Sequence, residues 1–252
     1  MDDSPAPPPS PEPVVPEKSG GAFQDLLDVY FSPREAFERI VRHRRWVLPA
    51  VGMIVVALVF TGIWVNRMDP REFLTTQLQE QGRWDTIPAE SRGQILDQQA
   101  KIIPIISWVM APVGAAAVLL VVAGVLLFVF RFFYAGEVSF PQALAIVAWT
   151  FFAVGLITSP LTLVVMGLKG DWNLNPQDVL QANLGLVLDK AETAKPLWAL
   201  ATSLDLFSFW MIFLLATGFA AASRKTTGSA LWGVAIPWAL MVAIKVGWAA
   251  VF

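Results

Sequence analysis

The sequence predicts an all-α fold: a polytopic transmembrane helical bundle of about five spans, preceded by an N-terminal amphipathic interfacial helix. Three observations carry this expectation. The 252-residue chain is 56% hydrophobic and only 15% charged, with a mean hydropathy of +0.57, whereas a soluble domain carries about 25% charged residues. The apolar residues are gathered into five runs, each near the roughly 20 residues that a bilayer core requires. Most of the 11 tryptophans lie in or beside those runs, where amphipathic rings meet lipid headgroups. A soluble all-α packing would need polar faces to cover five charge-poor runs, and the chain lacks them.

Residues Met1 to Gly21 are dominated by Pro, Ser and acidic side chains. They cannot bury enough apolar surface to offset the entropy of ordering, so a disordered tail is expected. The basic and apolar regions of a secretory signal are missing at the start. Phe23, Leu26, Leu27, Tyr30 and Phe31 then recur at helical spacing. Ser32-Pro33-Arg34-Glu35 reads as a helix start, with Ser32 as cap, Pro33 in the first turn and Glu35 completing a capping box. The following helix sets Ala36, Phe37, Ile40 and Val41 on one face and a cluster of Arg34, Arg39, Arg42, Arg44 and Arg45 on the other. It is expected to lie on the membrane surface, with arginines at the headgroups and phenylalanines below.

The first apolar run is Trp46 to Val65. A polar stretch from Asn66 to Lys101 follows, with one or two amphipathic helices expected and a break near Ile87-Pro88. The second run, from about Ile102 to Phe133, is longer than one span needs; Pro104 and Pro112 mark an interfacial or kinked start. The third is Ala143 to Leu168, with Pro160 inside it, and the fourth is about Leu197 to Ala222. A basic turn with Arg224 and Lys225 leads to the fifth, Leu231 to Phe252. With five spans, the arginine cluster, Arg131 and Arg224-Lys225 fall on one side. The other side holds two longer loops with six acids against five bases and four against three. Basic residues close to span ends mark the cytoplasmic side, so the N-terminus is expected in the cytoplasm and the C-terminus outside.

Two charges lie within apolar runs. Asp205 is about 12 Å into the fourth run and Lys245 about 10 Å from the end of the fifth, at 1.5 Å per residue. Antiparallel neighbours bring these to similar depth, so an intramembrane ion pair is expected. It serves either to fix helix register or as a proton or ion relay. The arginine cluster reads either as a membrane-surface patch attracted to anionic lipid or as a docking patch for a cytoplasmic protein.

Other chemistry is thinly represented. The chain has no cysteine, and His43 is its one histidine, so thiolate chemistry is excluded and a histidine metal site is not expected. Gly-x-Ser-x-Gly, P-loop and His-Glu-x-x-His patterns are absent. Asp85, Glu90, Asp97, Asp171 and Asp178 show no ligand spacing. No catalytic, cofactor-binding or metal-binding residue is therefore assigned, and an enzyme is not expected. The net charge of -2 gives no sign of a nucleic-acid partner.

Three stretches carry a family resemblance. Tyr30 to Ile40 (Tyr-Phe-Ser-Pro-Arg-Glu-Ala-Phe-Glu-Arg-Ile), with Arg45-Trp46-Val47-Leu48-Pro49, resembles the opening of prokaryotic members of the Yip domain family, the Ypt-interacting membrane proteins. Gly136 to Ala145 resembles that family's turn into its third span. Ser203 to Trp210, ending in Thr217-Gly218, resembles its fourth. The resemblance implies a five-span fold with a cytoplasmic N-terminus in a bacterial inner (plasma) membrane. Eukaryotic relatives bind Rab-type GTPases in membrane traffic; the stretches associated with that binding are not visible here, and the family supplies no catalytic residues.

The domain expectation is a tail over 1–21, an interfacial helix over 22–45 and a membrane domain over 46–252, with spans at about 46–65, 108–133, 143–168, 197–222 and 231–252. The functional expectation is a non-enzymatic membrane scaffold or adaptor that binds the bilayer, other proteins or a second copy of itself. The alternative is a small transporter or channel component using Asp205 and Lys245.

Overall fold

Caps set where the apolar runs begin and end as helices. The computed structural model describes residues 21–180, 182–189 and 192–251. The tail expected over 1–21 lies outside them except for Gly21. Ten α-helices follow in order: α1 Ala22–Phe31, α2 Pro33–His43, α3 Val47–Val65, α4 Pro70–Glu80, α5 Ala89–Phe132, α6 Phe140–Lys169, α7 Pro176–Val179, α8 Lys195–Ser203, α9 Leu206–Ser223 and α10 Thr227–Val251. Five of them, α3, α5, α6, α9 and α10, are long and apolar enough to cross a membrane.

Local sequence explains the boundaries. Asp69 accepts from the backbone N–H groups of Arg71 and Glu72, capping α4 just ahead of Pro70. Ser139 and Gln142 form a reciprocal capping box at the start of α6. Each such cap satisfies donors that the first turn leaves unpaired. The box expected at Ser32 and Glu35 does not form: Ser32 makes no side-chain cap bond, and Pro33 alone begins α2. The break expected near Pro88 is present, with α5 starting at Ala89. From there α5 runs 44 residues through Pro104 and Pro112, about 66 Å at the α-helical rise. That is twice the roughly 30 Å hydrocarbon core. Its first turns therefore extend beyond the apolar layer, pairing with α4 through Arg71 and Asp97 at 3.1 Å.

The fourth run differs most from expectation. It is two helices, α8 and α9, broken at Leu204-Asp205. Leu206 N–H donates to Ala182 O at 3.0 Å, and Asn183 bridges Asp205 in antiparallel fashion. Backbone groups that a continuous helix would pair internally are instead paired with the preceding loop.

Helix α6 is the centre of the bundle, touching α1, α2, α3, α5 and α9. Its residues from Ala143 to Thr150 are all buried, the mark of a helix covered on every side. Helices α3, α5 and α10 present large apolar side chains outward, among them Val55, Val121, Phe128, Ile236 and Ile244. One end of the bundle collects the C-terminus of α2 and the α5–α6 and α9–α10 turns; we call it the hairpin end. The opposite, loop end holds α4, α7, α8 and a smaller core of Trp64, Met68, Met166 and Val179.

Candidate functional site

The hairpin end is built around α1 and α2, which fold back on each other and insert lengthwise beside α6 and α9. At the tip, Tyr30 Oη donates to Ala153 O at 2.7 Å, and its ring stacks on Trp210 with centroids 5.9 Å apart. Ala153 lies 13 residues beyond the start of α6 and Trp210 lies 13 residues before the end of α9. Both positions are about 20 Å along their helices. The amphipathic helix expected to float on lipid is therefore packed against protein. Ala36, Phe37 and Ile40 are fully buried, against α9 and α6. The reason lies on α9, where the run Ala216 to Ser223 is small except for Phe219. A Cβ on Gly218 would stand 2.4 Å from Ile146 Cγ2 and 3.1 Å from Phe37 Cδ1. Small residues allow this close helix approach inside a membrane. That run was the sequence signal for the packing.

The arginine cluster divides by role. Asp25 is 1% exposed and receives Arg39 Nη2 at 3.3 Å and Arg45 Nη1 at 3.4 Å. Arg39 also binds Asp28. Burial disfavours the charged guanidinium of Arg39, but its hydrogen bonds to Asp28 and Asp25 outweigh this and hold its pKa above the usual value. The Arg45 carbonyl accepts from Trp149 Nε1 at 2.8 Å, and the Val41 carbonyl from Gln142 Nε2 at 3.4 Å. Arg39 and Arg45 thus latch the hairpin to itself and to α6. Arg44 caps α2 in the left-handed conformation, φ 52°, and is exposed.

Arg34 and Arg42 share a second stripe with Glu38, at i, i+4 and i+8 along α2. Arg34 Nε pairs with Glu38 Oε1 at 3.3 Å. This stripe forms one wall of a cleft of about 1060 Å³, with Glu137 from the α5–α6 turn and Arg224 and Lys225 from the α9–α10 turn on the others. Four cations face two carboxylates there. Two wall residues, Ala135 (φ 47°) and Arg224 (φ 56°), hold backbone conformations that residues other than glycine rarely adopt. Sequence reading found the arginines and the Arg224-Lys225 turn, but not that the fold brings them together, nor the partners Asp25, Asp28, Glu38 and Glu137.

At the loop end, Asp205 and Lys245 approach the same break but do not pair. The Asp205 carboxylate caps α9, accepting from Phe207 N–H at 2.7 Å and Ser208 N–H at 3.0 Å. Lys245 Nζ donates to Ser203 Oγ at 3.1 Å and Thr202 Oγ1 at 3.4 Å. The expected ion pair is replaced because the helix breaks at Asp205. Its N–H groups need an acceptor, and two such bonds hold the carboxylate there. Lys245 is exposed and, with Thr202, Trp198, Asn183, Asp178 and Asp189, lines a cavity of about 760 Å³; Asp205 is not in its wall.

A bundle with five membrane-length helices and lipid-facing apolar side chains is a multi-pass integral membrane protein. Residues 27–247, nearly the whole chain, match the family model of the Yip1 domain. The chain therefore belongs to the Yip1 domain family. No curated protein and no solved structure gives a significant match.

Proposed function

We propose that this chain is a non-enzymatic membrane scaffold or adaptor whose hairpin end faces the cytoplasm of a bacterial cell and receives a partner in the α2–α9 cleft. The observation that carries this reading is the cleft itself. The latch orders the hairpin, and the ordered hairpin holds Arg34 and Arg42 opposite Arg224 and Lys225. A patch meant only to fix topology needs no such ordering. The orientation is supported by the concentration of Lys and Arg beside the helix ends at the hairpin end. The transporter alternative wants both intramembrane charges in one cavity; Lys245 lines the loop-end cavity and Asp205 caps a helix instead.

The test is affinity capture of the full chain in mild detergent, comparing the native sequence with the double variant Arg224→Glu/Lys225→Glu. Both positions are exposed and lie in a turn, so folding is expected to be unaffected. A defined protein partner held by the native chain and lost from the variant, at unchanged melting temperature, supports the adaptor. Identical capture by both sinks it.

A further inference from the structure

The hairpin-end cleft runs deeper than a surface patch. Arg34 lies ten residues before Arg44 on α2, about 15 Å along the helix, and Thr217 lies seven before Arg224 on α9, about 10 Å. Both line the cleft. At that depth the Arg34 side chain is 83% exposed and Glu38 50%. Glu38 engages only Nε of Arg34; among the described residues the two terminal guanidinium nitrogens donate to nothing. Arg224 and Lys225 are likewise without an ion pair among the described residues. A charged stripe at membrane depth is costly unless water or a counter-charge reaches it. Arg34, Arg224 and Lys225 alone outnumber Glu38 and Glu137 in the cleft wall, which suits an anionic ligand.

Its chemistry can be narrowed. Guanidinium forks match phosphate oxygens in a planar, two-bond arrangement. Arg224 occupies a left-handed helix-end position where glycine would be unstrained. Between the cations the small side chains of Ala220, Ala221 and Ala222 also line the cleft. Phe132 and Phe133 stand 71% and 69% exposed just before Ala135, which lines the cleft. Exposed cations beside outward-facing Phe132 and Phe133 suit a headgroup phosphate whose acyl chain lies along that apolar surface. An acidic protein segment would meet the outer cations but has no reason to reach Arg34.

We propose that the cleft between α2 and the α9–α10 turn binds the phosphate of an anionic phospholipid, held by Arg34, Arg224 and Lys225. This rests on the reading of the hairpin end as the working face and names a ligand for it.

The experiment uses the full chain in neutral detergent. Native mass spectrometry follows retention of phosphatidylglycerol, phosphatidylcholine and a fatty acid anion, with inorganic phosphate as soluble competitor. Native protein is expected to retain phosphatidylglycerol at least about tenfold over the other two lipids. The variant Arg224→Glu/Lys225→Glu should lose that preference, and Arg34→Gln should weaken it. Arg34→Gln keeps a neutral polar side chain at an exposed site, which separates ligand loss from misfolding. Equal retention by native and both variants overturns the proposal, as does equal binding of the fatty acid. Inorganic phosphate competing at the lipid's own concentration would show a free-phosphate site, and binding of an acidic peptide in preference to every lipid a protein site; either also overturns it. In the double variant, lost lipid preference with partner capture intact removes the adaptor reading alone. Lost partner capture with lipid preference intact removes this proposal alone.

Discussion

Replacing Arg39 with alanine should open the hairpin, and the structure sets the size of the effect. Arg39 is the main partner of Asp25, whose side chain is 2% exposed, and also binds Asp28. Without it, Asp25 keeps, among the described residues, only Arg45 Nη1 at 3.4 Å. Stripping a partner from a fully buried pair costs about 3–5 kcal/mol. Here Arg39 is itself 24% exposed and one cation remains, so about 2–3 kcal/mol is expected. The reverse change, Asp25→Ala, leaves two partly exposed arginines, one still on Asp28, and should cost about 1 kcal/mol. The asymmetry is the test. Because the chain has no cysteine, Ala36→Cys in the buried face of α2 gives a clean reporter of opening. Where opening and closing are fast relative to modification, 2–3 kcal/mol raises the thiol reaction rate about 30- to 140-fold. An unchanged rate in Arg39→Ala, or equal acceleration by both variants, would refute the latch.

Two further substitutions probe the packing and the loop end. Gly218→Ala places a methyl against Ile146 and Phe37, both buried. It should cost about 1–3 kcal/mol by overpacking, read as a lower melting temperature in detergent; an unchanged melt means α2 does not seat on α9 as described. Asp205→Ala should cost about 0.5–2 kcal/mol through loss of the α9 cap. Lys245→Ala should cost less, since it breaks only exposed bonds to two hydroxyls; Lys245→Ala as damaging as Asp205→Ala would restore a functional or structural pairing of the two charges.

The membrane fold was legible because lipid imposes it. An apolar run must be about 20 residues to span, and backbone pairing must be internal, so hydropathy alone locates five spans. The break at Asp205 was not legible. Apolar residues continue on both sides of it, and what ends α8 is a bridge to Asn183, about twenty positions earlier in the chain. The apolar face of α2 was legible, but not what covers it, because lipid tails and a helix of small residues are equally apolar partners. The charged cleft was legible only in pieces. Its walls come from α2, the α5–α6 turn and the α9–α10 turn, and no local pattern joins them. Nothing local distinguishes the two acids of α1 from solvated side chains, yet one of them, Asp25, is the most buried charge among the described residues.

The packing of the hairpin also decides what removing it would do. A chain beginning at Trp46 loses Phe37 and Ile40 from the core. Apolar surface exposed by that loss is no penalty in itself, since acyl chains can cover it; helix association in a bilayer rests on close packing and hydrogen bonds. The cost is polar. Trp149 is fully buried, and its Nε1–H loses the Arg45 carbonyl. Gln142 also loses the Val41 carbonyl, but it lines the cleft, so the larger cost falls on Trp149. An orphaned buried donor costs about 1–3 kcal/mol, so the truncated chain should melt well below the full chain. Equal melting of the Trp46 form would mean that the hairpin is an appendage rather than part of the bundle. If it is part of the bundle, deletion cannot separate docking from folding, and only charge substitutions that leave the latch intact can show what the cleft binds.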